Sequence, residues 1–235
     1  RRPPRSTLFP YTTLFRSESW REQVAEYIVA IQEGRDAVRI DRAWSMFPSK
    51  VAEVERTLAA KFVKTPPVLD GALDDEAWKD AQAASGFVSI PRAEKASVET
   101  EVKVVTDGEW VYFGFRNAEP KYGELKTYAV KRDDGVWQDD AVEIFLDTDR
   151  DAKTYYQIIV NSIGTIEDGF ARDSVWNGDI VAKTTKGKGG WNAEIAIRLS
   201  SLGIETPFGT SWKINLCRDR FAGAKIEVDR DIGFD

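Results

Sequence analysis

The chain predicts an all-β antiparallel β-sandwich, jelly-roll or immunoglobulin-like, preceded by a short α-helical segment. Three observations predict it. Beyond Pro67 apolar residues alternate with period 2 in one short run after another, turn-forming clusters separate the runs, and no helical pattern alternates with them. Short strands at fairly even spacing pack as a sandwich or barrel, whereas a βαβ fold needs intervening helices. The 235 residues, 42% hydrophobic and 11% aromatic, suffice for one large core or two small ones.

Residues 1–17 contain no acid, although the whole chain carries a net charge of −6. They resemble translated sequencing-adapter sequence, the alternative being an ordinary basic extension. From Glu18 the pattern turns helical, with Val24, Tyr27, Ile28 and Ile31 three and four apart and Gly34 as a stop. A second run, Ala37 to Phe47, ends at Pro48, and Ser49 caps a third, Lys50 to Ala60. Residues 18–62 thus read as a helical segment, either the tail of a preceding domain or a packing appendage. Thr65-Pro66-Pro67 is a stiff boundary, and residues 66–235 are the sandwich, truncated at its C-terminus if the chain is a fragment.

Asp74 to Lys79 predicts one helical turn with acids at its N-terminus. Strands follow at Glu99 to Val105, Trp110 to Asn117, Asp140 to Asp147, Tyr155 to Asn161, Ile180 to Thr185, Trp191 to Arg198 and Trp212 to Arg218. Thr106-Asp107-Gly108 and Gly187-Lys188-Gly189-Gly190 are the clearest turns between them.

Composition excludes several function classes. The chain has no histidine, which removes the commonest general base, zinc ligand and haem ligand together. Cys217 stands alone, so there is no internal disulfide and no thiolate cluster. A pI near 5.0, without a basic stripe interleaved with aromatics, argues against a nucleic-acid partner. No apolar run is long enough for a membrane span.

Within the strand that ends at Asp147, Val142, Ile144 and Leu146 face one side while Ala141, Glu143, Phe145 and Asp147 face the other. If the strand is continued backwards, Trp137 has the same parity as Glu143, and a flat ring and a carboxylate then share one surface. If this strand and the next form a hairpin, Phe145 lies opposite Gln157, Glu143 opposite Ile159 and Ala141 opposite Asn161. Gln157 and Asn161 then join Glu143 on the open face. Amides and a carboxylate supply donors and acceptors for sugar hydroxyls, and the ring of Trp137 or Trp176 supplies an apolar surface for the sugar's C–H face. The alternative is an ordinary solvated polar face with a loop Trp packed on its edge.

The stretch Trp137 to Asp147 resembles the central strand of the family 9 carbohydrate-binding modules, the cellulose- and xylan-binding relatives of DOMON domains, in the pattern W-x-x-D-x-V-E-I-F-x-D. Val68 to Asp74 with Trp78, Val111 to Phe115, Tyr156 to Asn161, Gly190 to Ile197 and Trp212 to Asn215 resemble further motifs of that family in the same order. The resemblance covers roughly residues 66 to 220. It implies a non-catalytic carbohydrate-binding sandwich, with polysaccharide or oligosaccharide as partner and with Trp137 and Glu143 contacting the sugar. Asn215 belongs to the last matching strand. It further implies an extracellular or periplasmic protein and a covalently linked polysaccharide-degrading domain in the parent polypeptide. Where the family has an Arg this chain has Ile159, and where it has a Gln this chain has Cys217. Either the ligand differs, Trp176 or Arg218 substitutes, or sugar binding has been lost and the module is a spacer.

Asp147, Asp149 and Asp151 sit at alternate positions in a loop, a spacing that can turn carboxylates toward one hard cation. A structural calcium there is consistent with the resemblance; a solvated acidic turn is the other reading. No other cofactor is expected. Related sandwiches carry haem on Met with His or Lys, but this chain's only Met, Met46, precedes the sandwich. A glycoside hydrolase would need two carboxylates across a cleft, and Asp139, Asp140 and Glu143 lie along a single strand. A structural sandwich without ligand remains the competing function.

Overall fold

The computed structural model describes residues 57–89, 94–151, 153–171, 175–205 and 207–223. Strands there are, in chain order, β1 (Lys61–Phe62), β2 (Ala83–Ala84), β3 (Val88–Ser89), β4 (Glu94–Lys95), β5 (Thr100–Thr106), β6 (Trp110–Ala118), β7 (Ala141–Asp147), β8 (Tyr156–Asn161), β9 (Ile166–Phe170), β10 (Ile180–Gly187), β11 (Gly190–Arg198) and β12 (Lys213–Asp219). The larger sheet runs β1-β5-β6-β11-β10, with β2 also on β5, and the smaller runs β12-β7-β8-β9. Every pairing is antiparallel except β1 on β5. Short 3₁₀ turns are the helical elements among the described residues.

The expected sandwich is present, and seven expected strands lie within a residue or two of their predicted bounds. The expected helical prelude requires correction. Residues 1–56 lie outside the described residues, so most of that expectation has no counterpart to compare. Residues 57–60 carry no helix, and Lys61–Phe62 pair with β5, so the sheet begins inside the 18–62 stretch that reads as helical. Tertiary pairing outweighs the apolar period of three to four there. Asp74 to Lys79 does contain a 3₁₀ turn, over Glu76–Trp78.

Between the sheets Val102, Phe113, Phe115, Ile195 and Ile197 meet Val142, Ile144, Leu146, Ile158 and Val160, all essentially free of solvent. Period 2 has this cause: alternate residues of each strand enter one shared core. The large sheet buries its other face too. There Leu69, Leu73, Trp78 and Ala81 from the segment before β2 pack on Val105, Tyr112 and Ala196.

A buried carboxylate fastens that segment. Glu194, on the outer face of β11, accepts the N–H of Asp70 at 2.9 Å and of Gly71 at 2.7 Å, and the indole Nε1–H of Trp78 at 2.8 Å. Gly71 is required at its place. Its φ is +87°, and a Cβ would stand 2.7 Å from the Thr184 carbonyl carbon. Gly114, beneath the lap, leaves room for Leu73 and Trp78, whose atoms would be 2.5 and 3.1 Å from a Cβ.

At one end of the sandwich Arg218, on the core side of β12, reaches across to the larger sheet. It donates to Ala118 O at 3.0 Å and to Thr100 Oγ1 at 3.2 Å, and pairs with the fully buried Glu119, which also receives Arg220. Arg218 is therefore a tie between sheets and does not face the surface that Glu143 faces.

Glu194→Ala leaves two main-chain donors and an indole N–H without their acceptor. It is expected to cost about 3 kcal/mol or more in urea unfolding. A loss below about 0.5 kcal/mol would show that the lap is not held through this carboxylate.

Candidate functional site

The outer face of the smaller sheet gathers the polar residues of the sequence motif. β7 and β8 pair with Phe145 opposite Gln157, Glu143 opposite Ile159 and Ala141 opposite Asn161, the expected register. On the other side of β7, Cys217 stands opposite Glu143 and Asn215 opposite Phe145; on the other side of β8, Glu167 stands opposite Ile159. Glu143, Gln157, Asn161, Asn215 and Glu167 therefore share one face, turned away from the core.

That face is not open to water as the alternation alone suggests. Glu143 is 6% exposed, Gln157 5% and Asn161 not at all. The reason is a second lap. The segment 125–130 and the 3₁₀ turn Val136–Gln138 lie on the sheet, so that Ala129 and Val136 close with Ala141 and Ile159 into a small apolar cluster, with Trp137 packed at its edge. Ile159 is what permits this closure, since an Arg in its place could not enter an apolar cluster unpaired.

Buried acids fasten this lap as well. Asp139 accepts the N–H of Tyr128 at 2.6 Å and of Ala129 at 2.9 Å, and Asp140 accepts that of Lys126 at 2.7 Å. Asn161 is consumed in the same work. Its Nδ2 donates to Ala129 O and Asp139 Oδ2, and its Oδ1 accepts from Ile163 and Thr165. Beneath the turn, Glu167 accepts the N–H of Val136 at 2.6 Å, which seats Trp137 on the outer face. The indole is half-buried and keeps part of its surface in solvent.

The expected residues thus divide. Trp137, Glu143 and Gln157 are brought to one surface, with Gln157 Nε2 donating to Glu143 Oε2 at 2.8 Å, and Asn215 lies on the same sheet face. Asn161 faces that way but lies sealed under the lap. Trp176 is on the other side. Its ring centre is 4.9 Å from that of Tyr156, which alternates with Ile158 and Val160 toward the core, so Trp176 closes the rim of the sandwich. A cavity of about 240 Å³ beside this rim is lined by Leu146, Tyr156, Phe170 and Leu202, again on the core side.

Two functional candidates escape a reading of sequence. Glu167 lies in β9, where Glu167-Asp168-Gly169 carries no strand signal. Asp219 ends β12 at the same parity as Asn215 and Cys217; that parity was the available signal. Its carboxyl is in hydrogen-bond contact with that of Glu143. Burial, then the charge and contact of Glu143, and then Asp140 raise the Asp219 pKa well above the ordinary carboxylate range. Burial, reinforced by Asp133 and Glu143, lifts Glu167 to about 7 against the pull of the Val136 N–H.

Asp147, Asp149 and Asp151 bring one oxygen each within 4.8 Å of one another at the end of β7. Asp149 is shifted upward, first by desolvation and further by Asp147 and Asp151. Carboxylate oxygens suit a hard cation, although Asp147 and Asp151 also accept main-chain N–H groups of their own loop. No helix among the described residues is long and apolar enough to cross a membrane.

The described residues thus form a two-sheet sandwich whose smaller sheet has a polar, aromatic-edged outer face. Residues 69–215 match the model of the carbohydrate family 9 binding domain-like family, so the chain belongs to that family. Non-catalytic carbohydrate binding is the function this membership carries. The chain is similar in fold to a family 9 carbohydrate-binding module from Caldicellulosiruptor kristjanssonii in complex with cellotriose, with a TM-score of 0.54 and 19% identity over 70% of this chain and 77% of the other. A family 9 carbohydrate-binding module from the same organism in complex with glucose gives 0.54 and 19%, over 70% and 78%. A putative carbohydrate-binding protein from Bacteroides uniformis ATCC 8492 gives 0.52 and 16%, over 68% and 81%. No curated protein matches the chain significantly.

Glu167 carries a folded-state pKa near 7, against about 4.3 for an exposed Glu. The folded state therefore holds its proton longer, and this contribution is fully present below about pH 4 and lost as pH rises through 7. Between pH 5 and 8 it removes about 3 kcal/mol. Glu167→Gln is expected to shrink the fall in urea-unfolding stability over that interval; an unchanged profile would contradict a buried, protonated Glu167.

Proposed function

We propose that the domain binds saccharide at the outer face of its smaller sheet, with Trp137 as the stacking ring and Glu143, Gln157 and Asn215 as the hydrogen-bonding groups. The observation that carries this reading is the seat of Trp137: a half-buried indole packed at the edge of the Ala129–Val136–Ala141–Ile159 cluster, in a turn whose Val136 N–H is held by Glu167, on the sheet face that carries the Glu143–Gln157 pair. A ring held in place loses little entropy on binding, and its flat face matches the C–H face of a pyranose. Cellotriose and glucose in the similar modules support a β-glucan-type oligosaccharide as the class to try first.

The role of the domain is to hold an appended polysaccharide-degrading enzyme near its substrate, outside the cell or in the periplasm. Family membership supports this; the location follows from where polysaccharide is found. At the end of β7, Asp147, Asp149 and Asp151 are the residues that would hold a structural calcium, at the rim and away from Trp137.

Trp137→Ala should weaken oligosaccharide binding by tenfold or more in isothermal titration, with the circular dichroism spectrum unchanged. Undiminished affinity would remove Trp137 from the site.

A further inference from the structure

At the end of the sandwich where Arg218 crosses from one sheet to the other, polar side chains are buried on the core side. Thr100 on β5, Asn117 on β6 and Trp191 on β11 form one cross-strand row, since Asn117 pairs with both of the others. Asn117 alternates with Phe113 and Phe115, and Trp191 with Ala193 and Ile195, so the row faces the smaller sheet. Arg218 meets it from that sheet. Its Nη1 donates to Thr100 Oγ1 at 3.2 Å and to Ala118 O at 3.0 Å, one residue from Asn117. Asn117 is 1% exposed, Trp191 2% and the Arg218 side chain 5%.

These side chains do not satisfy one another. Among the described residues, neither amide atom of Asn117, nor Trp191 Nε1, nor Arg218 Nε has a hydrogen-bond partner. Other enclosed atoms of this kind stand one to a place: Trp212 Nε1 beside the opposite end of β12, Asp219 Oδ2 on the outer face, Ser162 Oγ just past β8. Here four atoms of neighbouring side chains are unmet together. A buried donor or acceptor left without a partner lowers the folding equilibrium constant about tenfold. Four of them would take much of the stability that a domain has to spare, so the group calls for a partner of its own.

We propose that this end of the sandwich is a hydrated site, in which ordered water enclosed between the sheets is bound by Asn117, Trp191 and Arg218 and links the two sheets through them. The donor set selects the ligand. Trp191 Nε1, Arg218 Nε and Asn117 Nδ2 donate, whereas Asn117 Oδ1 accepts. Water both accepts and donates, so it answers all four atoms. A halide would answer the three donors but would be repelled by Asn117 Oδ1, and the Arg218 charge is already paired with Glu119. A metal cation would face three donors. A larger solute would need an open approach, which groups this deeply buried do not offer. Water needs none, since it is enclosed as the sheets close, and interior water bonded to otherwise unmet groups is a regular part of protein structure. The assignment is independent of the saccharide site on the outer face.

The test is a pair of measurements on the whole chain. In water–protein Overhauser spectra of the nitrogen-labelled protein, the Trp191 indole N–H and the Asn117 side-chain amide are expected to show direct contact with long-lived water. The Trp78 indole, whose N–H is taken by Glu194, is expected to show none. Wild-type spectra without water contacts at Trp191 and Asn117 overturn the proposal, whether or not any variant folds. The second measurement is urea unfolding of Asn117→Leu, which keeps the shape of the side chain and removes its amide. If water serves that amide, the variant loses the water contact at Trp191 and its unfolding equilibrium constant rises about tenfold. If the amide is buried dry, the apolar variant is the more stable protein by a similar factor, and the proposal fails. Wild-type stability that rises with bromide at constant ionic strength, an effect lost in Asn117→Leu, would give the site to an anion and likewise overturn it.

Discussion

Buried carboxylates that accept main-chain N–H groups are the constraint on which the rest of this structure depends. Neither sheet is left with a bare outer face. Each is covered by irregular chain, and irregular chain cannot be buried unless its amide groups find acceptors. Glu194 meets Asp70 and Gly71 over the larger sheet. Asp139, Asp140 and Glu167 meet the segment 126–136 over the smaller one. Asp168 takes Gly178 N, and Glu119 takes Lys121 N. The acidic balance of the chain, with 39 acids against 33 bases, is thus partly structural: acids serve as acceptors inside the fold as well as solvating its surface.

Function follows from how the second of these laps is finished. Its apolar part, Ala129 and Val136 against Ala141 and Ile159, seals half of the outer face and leaves Trp137 as the border between sealed and reachable surface. Glu143, nearly enclosed on the same face, is met by the side-chain amide of Gln157 and, among the described residues, by no main-chain amide. Where Glu194 and Asp139 are fully met, Glu143 and Asp219 meet each other. The same device that closes the fold, Glu167 on the Val136 N–H, seats Trp137 at the border where the saccharide site is proposed.

Sequence disclosed the parts of this fold that obey a period. Core strands such as Val142-Glu143-Ile144 and Tyr156 to Val160 were legible because one face of each is uniformly apolar, and the β7–β8 register followed from keeping those faces together. β9 was not legible, because Glu167-Asp168-Gly169 reads as a turn when burial of its two acids is unknown. Parity carried the outward direction of Glu143; Trp137 reaches the same side by another route, in a 3₁₀ turn of the lap to which the alternation of the strand does not extend. Parity says nothing about what lies on top. Asn161 was therefore expected in water when it is fixed under the lap, and Trp176, which no period ties to a face, docks on Tyr156 at the opposite side.

The most direct measurement is a heteronuclear NMR titration of the chain with a soluble oligosaccharide it binds, following the Trp137 indole N–H, the Gln157 and Asn215 side-chain amides and the Trp78 and Trp191 indoles as internal controls. The account predicts shifts concentrated on Trp137, Gln157 and Asn215, with the controls unmoved. Shifts confined to Trp176 and the rim around Tyr156, with the Trp137 signal unchanged, would contradict it.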